Sequence, residues 1–159
     1  PESIFQAITK LHAGRIGHGL WLFNEDMIQS EDVTDKKQYI ENLSNYIAET
    51  RTTIEVCLKS NLQTCPDIKR AQDHSLGSML KEKLSISFCT DNRLVSHTDV
   101  CNEIRLATES FDISPDQLKN IIIYGFKRSF YYKPYSEKRK YVRDIINFYE
   151  KIETEYGLS

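Results

Sequence analysis

The chain has 159 residues, of which 40% are hydrophobic and 28% charged, with a formal net charge of -2. This is the make-up of a single globular domain or part of one, expected to run over residues 1–159. The longest apolar stretch, Ile121–Phe126, falls far short of the ~20 residues that cross a bilayer. No charged-then-apolar leader is visible, and a generic nucleic-acid binder would be basic. The expected setting is therefore the cytoplasm, with neither membrane nor nucleic acid as partner. Residue 1 is Pro rather than Met, so a chain cut from something longer is expected.

In chain order, Ser3 is expected to cap a first helix striped by Ile4, Ala7, Ile8 and Leu11. A short strand follows at about 15–18, then an acidic, polar loop over 24–35. Tyr39, Ile40, Leu43, Tyr46 and Ile47 give Lys36–Thr50 a helical period. A β-rich run covers 54–58, and the polar stretch Ser60–Asp73, with Pro66, reads mostly as loop. A short helix at Leu76–Lys83 precedes Leu84-Ser85-Ile86-Ser87-Phe88-Cys89, whose strict alternation is the clearest strand signal. Three helices close the chain. The first carries Val100, Ile104, Ala107 and Phe111. The second opens on the capping box Ser114-Pro115-Asp116-Gln117. The third, capped by Ser136, is striped by Val142, Ile145, Ile146, Tyr149, Ile152 and Tyr156. Strands separated by helical stretches predict parallel β/α units.

Alternate residues of a strand share a face. Leu84, Ile86 and Phe88 make a large apolar face, while Ser85, Ser87 and Cys89 make a small one. Asp91 continues the small face just past the strand's carboxyl end. If the sheet belongs to a barrel, the small face points to the lumen, where barrel enzymes place catalytic groups at the carboxyl edge. Asp91 and Asn92 are equally residues that turns favour. In Gly17-His18-Gly19, two glycines open the backbone to close approach around an imidazole that can act as base, donor or ligand. A structural histidine is the alternative. The cysteines at 57, 65, 89 and 101 form no C-x-x-C pair and are expected to be reduced thiols, with Cys57 and Cys89 as small buried hydrophobes.

RIGHGL at 15–20, IEVCLKSNLQT at 54–64, His74 and ISFCTDNRLVSHT at 86–98 occur in an order that resembles the adenosine deaminase family. Ser129-Phe130 before a final helix fits that family's C-terminal end, so the resemblance covers roughly residues 3–155. It implies an α/β fold, the C-terminal part (about strands 6–8 with their helices) of a zinc-bearing (β/α)8 TIM-type barrel. The implied reaction is hydrolytic deamination of adenosine or deoxyadenosine to inosine and ammonia, in purine metabolism. By the same resemblance His18 ends the sixth strand and is catalytic, facing the attacking water. Asp91 ends the eighth strand and ligates Zn2+. Asn92 contacts the purine. Family members often carry Asp at that last position, but an Asn amide can still donate to the ring acceptor N7. The open alternatives are a related adenine or modified-adenosine aminohydrolase and a non-catalytic purine-binding relative.

The family's upstream His-x-His and His-Ala-Gly-Glu motifs are absent from this chain. His12-Ala13-Gly14-Arg15 lacks the Glu, and His12 is expected at a helix end. With one zinc ligand and no proton-shuttling Glu, the isolated chain is expected to bind zinc poorly and not to catalyse. The remaining N-terminal barrel segment or another copy of the chain is the expected partner, alongside a purine nucleoside substrate. Lumen layers are expected to include Ile16, Cys57, Ser87 and Cys89, with free strand edges at 15–18 and 84–89. Three further features have plain readings. His97 is expected in a loop, and Glu55 in a buried salt bridge. The basic, tyrosine-rich stretch 127–143 reads as a solvated surface with packed tyrosines rather than a nucleic-acid site.

Overall fold

The structure is a computed structural model that describes residues 1–157, so the last two residues of the expected domain lie outside the described residues. Three strands, β1 (Arg15–Gly17), β2 (Thr53–Val56) and β3 (Ile86–Phe88), form one sheet in the order β1-β2-β3. Both pairings are parallel, with Ile16 opposite Ile54 and Ile54 opposite Ile86. Among the described residues eight α-helices accompany the sheet: α1 (Glu2–Thr9), α2 (Lys36–Thr50), α3 (Leu58–Thr64), α4 (Leu76–Lys81), α5 (Arg93–Ser96), α6 (Val100–Ser110), α7 (Pro115–Lys127) and α8 (Tyr135–Glu155). No described helix is long and apolar enough to cross a membrane.

The apolar period of each segment sets its packing. On α2, Ile40, Leu43 and Ile47 are buried. Leu43 and Ile47 join Ile16, Ile54, Ile86, Leu76 and Met79 in one core, which covers one face of the sheet. The other face is polar. Thr53 and Ser85 share a hydroxyl–hydroxyl hydrogen bond of 2.9 Å, and Arg15 Nε donates to Glu55 Oε1 at 2.6 Å. Ile16 was expected in the lumen layers but stands on the core face. Its register with Ile54 and Ile86 decides this, because alternate residues of paired strands cannot change sides.

The expected bare lumen face is also partly covered, since Ser85 and Ser87 are both buried and α7 lies along β3. The approach is close enough that a Cβ on Gly125 would sit 2.9 Å from Ser87 Oγ. A side chain there would require Ser87 Oγ to move aside.

Several expectations need correction. Ser60–Asp73 is not mostly loop, because Leu58–Thr64 is helical. Ser3 and Ser136 cap nothing; α1 and α8 start earlier, with Pro1 and Pro134 at their N-cap positions. Leu11, Val100 and Tyr156 are exposed although they fall in the apolar stripes. The Ser114–Gln117 capping box forms as expected, with Ser114 N donating to Gln117 Oε1 at 2.9 Å and Gln117 N donating to Ser114 Oγ at 3.2 Å. In the basic stretch, Tyr131 stacks on Tyr141 with ring centres 5.0 Å apart, whereas Tyr132 and Tyr135 are exposed. All four cysteines are free, Cys57 buried and Cys101 exposed.

Candidate active site

Parallel strands bring their carboxyl ends to one edge, so the segments that leave β1, β2 and β3 meet there. His18 follows β1 directly, and its N–H donates to Glu55 O at 2.9 Å, extending the ladder by one rung. The backbone then turns sharply through left-handed values, φ 60° at His18 and 58° at Gly19. A side chain at Gly19 would meet Ile54 Cγ2 at 2.7 Å, which explains the second glycine of the motif.

Asp91 follows β3 and is also left-handed, with φ 53°. Among non-glycine residues, His12, Arg51, Lys83 and His97 share that conformation, but they lie at or just past the ends of α1, α2, α4 and α5, where it is ordinary. His18 and Asp91 adopt it just past strand ends. Backbone held in sparsely populated conformations gathers at functional sites, and these two residues meet, with His18 Nε2 lying 3.9 Å from Asp91 Oδ2. That distance is too long for a direct hydrogen bond, and both atoms lie within hydrogen-bond reach of an oxygen set to one side of the pair.

The exit of the middle strand, β2, holds the pair. Ser60 and Asn61 lie on α3 and are both buried. Ser60 Oγ donates to Asp91 Oδ2 at 2.7 Å, and the Asn61 amide nitrogen is 3.1 Å from His18 Nδ1. The start of α3 is fixed in turn by Glu103, a fully buried carboxylate on α6. Its Oε2 accepts from Lys59 N at 3.2 Å and its Oε1 from Thr98 Oγ1 at 2.9 Å. Behind Asn61, buried His74 has Nε2 at 3.1 Å from Asn61 Oδ1 and accepts the Leu76 N–H on Nδ1 at 2.9 Å. Burial, and then the neighbouring His18 ring, hold the His74 pKa down at about 4.

These groups border a cleft of about 420 Å³ lined by Gly17, His18, Trp21, Ser60, Asn61 and Asp91 among others, within the range of small-molecule sites. Asn92 is adjacent but does not line it. Its Oδ1 accepts Val95 N–H at 3.2 Å as the N-cap of α5, which commits the carbonyl and not the amide NH2. His97 is exposed and ends α5, and His12 is exposed beyond α1. Glu55 makes the expected salt bridge with Arg15. Burial, and then the charges of Cys89, Asp91, Glu103 and Glu55, push the Cys57 thiol up to about 12, so it supplies no thiolate near neutrality.

The fit to a metal is partial. Asp91 is a solvent-facing carboxylate oriented through one oxygen by Ser60, as a metal-ligating carboxylate commonly is. Among the described residues no group of three or more His, Cys, Asp or Glu side chains is placed to hold a metal ion. A zinc site using Asp91 therefore needs further ligands from outside these residues.

Sequence reasoning treated Ser60 and Asn61 as part of a motif without roles, His74 as a landmark, and Glu103 not at all. Ser60 and Asn61 were discoverable from position alone: they follow the carboxyl end of the middle strand, as His18 and Asp91 follow those of its neighbours.

The adenosine deaminase family model matches residues 1–148. Adenosine deaminase of Clostridium perfringens is 30% identical over 139 residues, which is 87% of this chain and 37% of that protein. Adenosine deaminase of Yersinia pseudotuberculosis is 33% identical over 130 residues, 82% of this chain and 34% of that protein. The chain thus spans about a third of the length of the curated relatives it matches. Among solved structures, adenine deaminase of Arthrobacter aurescens superposes with a TM-score of 0.70 at 17% identity, covering 94% of this chain and 40% of that one. N6-methyl-AMP deaminase of Arabidopsis thaliana gives 0.63 at 26% identity, covering 92% and 37%.

Proposed function

This chain belongs to the adenosine deaminase family, and on that premise we propose that it supplies one side of the active site of a zinc-dependent purine aminohydrolase. Its fold is the C-terminal part of that family's (β/α)8 barrel, about its last three strands. The reaction we assign is hydrolytic deamination of adenosine or deoxyadenosine to inosine and ammonia. One observation carries the reading: His18 and Asp91, from different strands, converge to 3.9 Å at the carboxyl edge of a parallel sheet. Barrel enzymes keep their chemistry at that edge.

Asp91 would hold the zinc, which when bound brings the pKa of a coordinated water to about 7. Ser60 keeps the Asp91 carboxylate in place by its 2.7 Å hydrogen bond. His18 faces the attacking water and stabilises charge that develops as it adds to the purine. Asn92 would donate its free amide to a ring acceptor, since its carbonyl is committed to Val95 N–H. The other zinc ligands, the proton-shuttling carboxylic acid and the remaining barrel strands come from outside this chain, from an N-terminal segment or a second copy. The isolated 159-residue chain would then not turn over substrate.

A neighbouring substrate, adenine or an N6-modified adenosine nucleotide, is the second reading. It is favoured by the likeness to an adenine deaminase and an N6-methyl-AMP deaminase and by Asn at position 92.

The test is ammonia release by the intact protein from adenosine, deoxyadenosine, adenine and N6-methyl-AMP, with zinc content measured alongside. Asp91→Ala should lose zinc and activity together. His18→Ala should keep zinc and lose about 100-fold or more in kcat, the scale for removing a group that stabilises transition-state charge. Normal turnover by His18→Ala would overturn the assignment.

A further inference from the structure

The polar groups behind His18 form a directed chain, and its direction follows from one end. The Leu76 backbone N–H can only donate, and it is 2.9 Å from His74 Nδ1. That nitrogen must therefore be the unprotonated acceptor of the ring, and His74 carries its hydrogen on Nε2. Nε2–H faces Asn61 at 3.1 Å, so the Asn61 atom there must be its carbonyl oxygen. The opposite amide orientation would set an NH2 against Nε2 and require His74 to be unprotonated on both nitrogens. With the carbonyl turned to His74, the Asn61 NH2 faces His18 Nδ1 at 3.1 Å and donates to it. His18 Nδ1 is then an acceptor, and the neutral ring carries its proton on Nε2, the atom 3.9 Å from Asp91 Oδ2.

We propose that Asn61 and His74 are positioning residues that lock His18 in the Nε2–H tautomer, so that His18 presents a hydrogen-bond donor, not a lone pair, to the reacting water. This rests on the reading of His18 as the residue that faces that water. The chain is built for the task. Asn61 and His74 are 4% and 3% exposed, so water does not compete for their bonds, and a mismatched donor there would be left buried and unpaired. The same burial, followed by the neighbouring His18 ring, holds the His74 pKa low. An Nε2–H donor strengthens as negative charge grows on the attacking oxygen, which is the behaviour required of a group that stabilises a transition state. A ring with the opposite tautomer would meet the same oxygen with a lone pair.

The experiment reads the tautomer directly. The intact protein is labelled with 15N in its histidine rings, and His18 is assigned by its loss in His18→Ala. Long-range 1H–15N correlation at a pH where the ring is neutral then shows which nitrogen carries the proton. In the wild type the proton should be on Nε2. In Asn61→Asp, which is isosteric but accepts on both oxygens, it should move to Nδ1. That variant should lose about 100-fold in kcat, as for a misdirected proton-handling group, with KM and bound zinc little changed. Asn61→Leu, which removes both bonds without inverting either, should show a mixture of tautomers. A wild-type His18 protonated on Nδ1, or a neutral His18 that stays protonated on Nε2 in Asn61→Asp, would overturn the proposal. The ring proton is read whether or not a purine is turned over. Protonation on Nε2 in a protein that deaminates nothing would thus support the locked tautomer and overturn only the functional reading.

Discussion

The two faces of the three-stranded sheet divide the work of the molecule. On one, Ile16, Ile54 and Ile86 stand in register and are almost wholly buried beneath α2 and α4. On the other, the same strands present Arg15 paired with Glu55 and Thr53 bonded to Ser85. The apolar face gains stability in proportion to the area it removes from water. The polar face gains little net stability per bond, but a buried group left there without a partner is costly, and that cost specifies geometry. The candidate site residues leave the sheet at its carboxyl edge, at the ends of strands anchored by the first face and aligned by the second.

The comparison breaks most readily at Ile54, fully buried and pressed beneath the Gly19 turn. Ile54→Ala should cost about 2–5 kcal/mol, read as a shift in the denaturation midpoint.

A second effect concerns pH. The folded His74 pKa is held at about 4, below the unfolded value near 6.5. Between those values the unfolded state binds more protons than the folded one, so stability rises with pH and is lost as pH falls from about 6.5 towards 4. The loss should approach about 3 kcal/mol, and His74→Gln should flatten the slope of denaturation free energy over that window.

On the polar face, Ser85→Ala alone strands the buried Thr53 hydroxyl and should cost about 1–3 kcal/mol, whereas Thr53→Val with Ser85→Ala should recover much of that loss. Equal costs for the single and double variants would show that the face is held by something other than hydrogen-bond pairing. The smallest effect lies away from both faces: Ser114→Ala removes one arm of the α7 capping box and should cost about 1 kcal/mol.

These sites also show what was legible in the sequence. The period of Lys36–Thr50 reproduced α2 end to end, and the Ser-Pro-Asp-Gln start of α7 was correct because both rest on local contacts. The Ser85/Ser87 alternation correctly separated the faces and placed Asp91 beyond the strand. What failed depended on residues distant in sequence. Leu58–Thr64 is a short helix in a polar stretch, and the carboxylate that binds its first turn is Glu103, 44 residues away from Lys59. The burial of Asn61 and His74 is likewise a product of packing, so nothing local marked them as more than polar residues. Ile16 stands on the core face because its register with Ile54 and Ile86 fixes its side, and that register joins residues far apart in sequence.

The account stands on the division of roles between Asp91 and His18. The most direct measurement is a zinc-edge anomalous crystal structure of the intact protein. It should place zinc at about 2.0–2.2 Å from an Asp91 carboxylate oxygen, with the His18 ring outside bonding distance and its Nε2 turned toward the open coordination position. Zinc bonded to His18, or a metal site that omits Asp91, would contradict it.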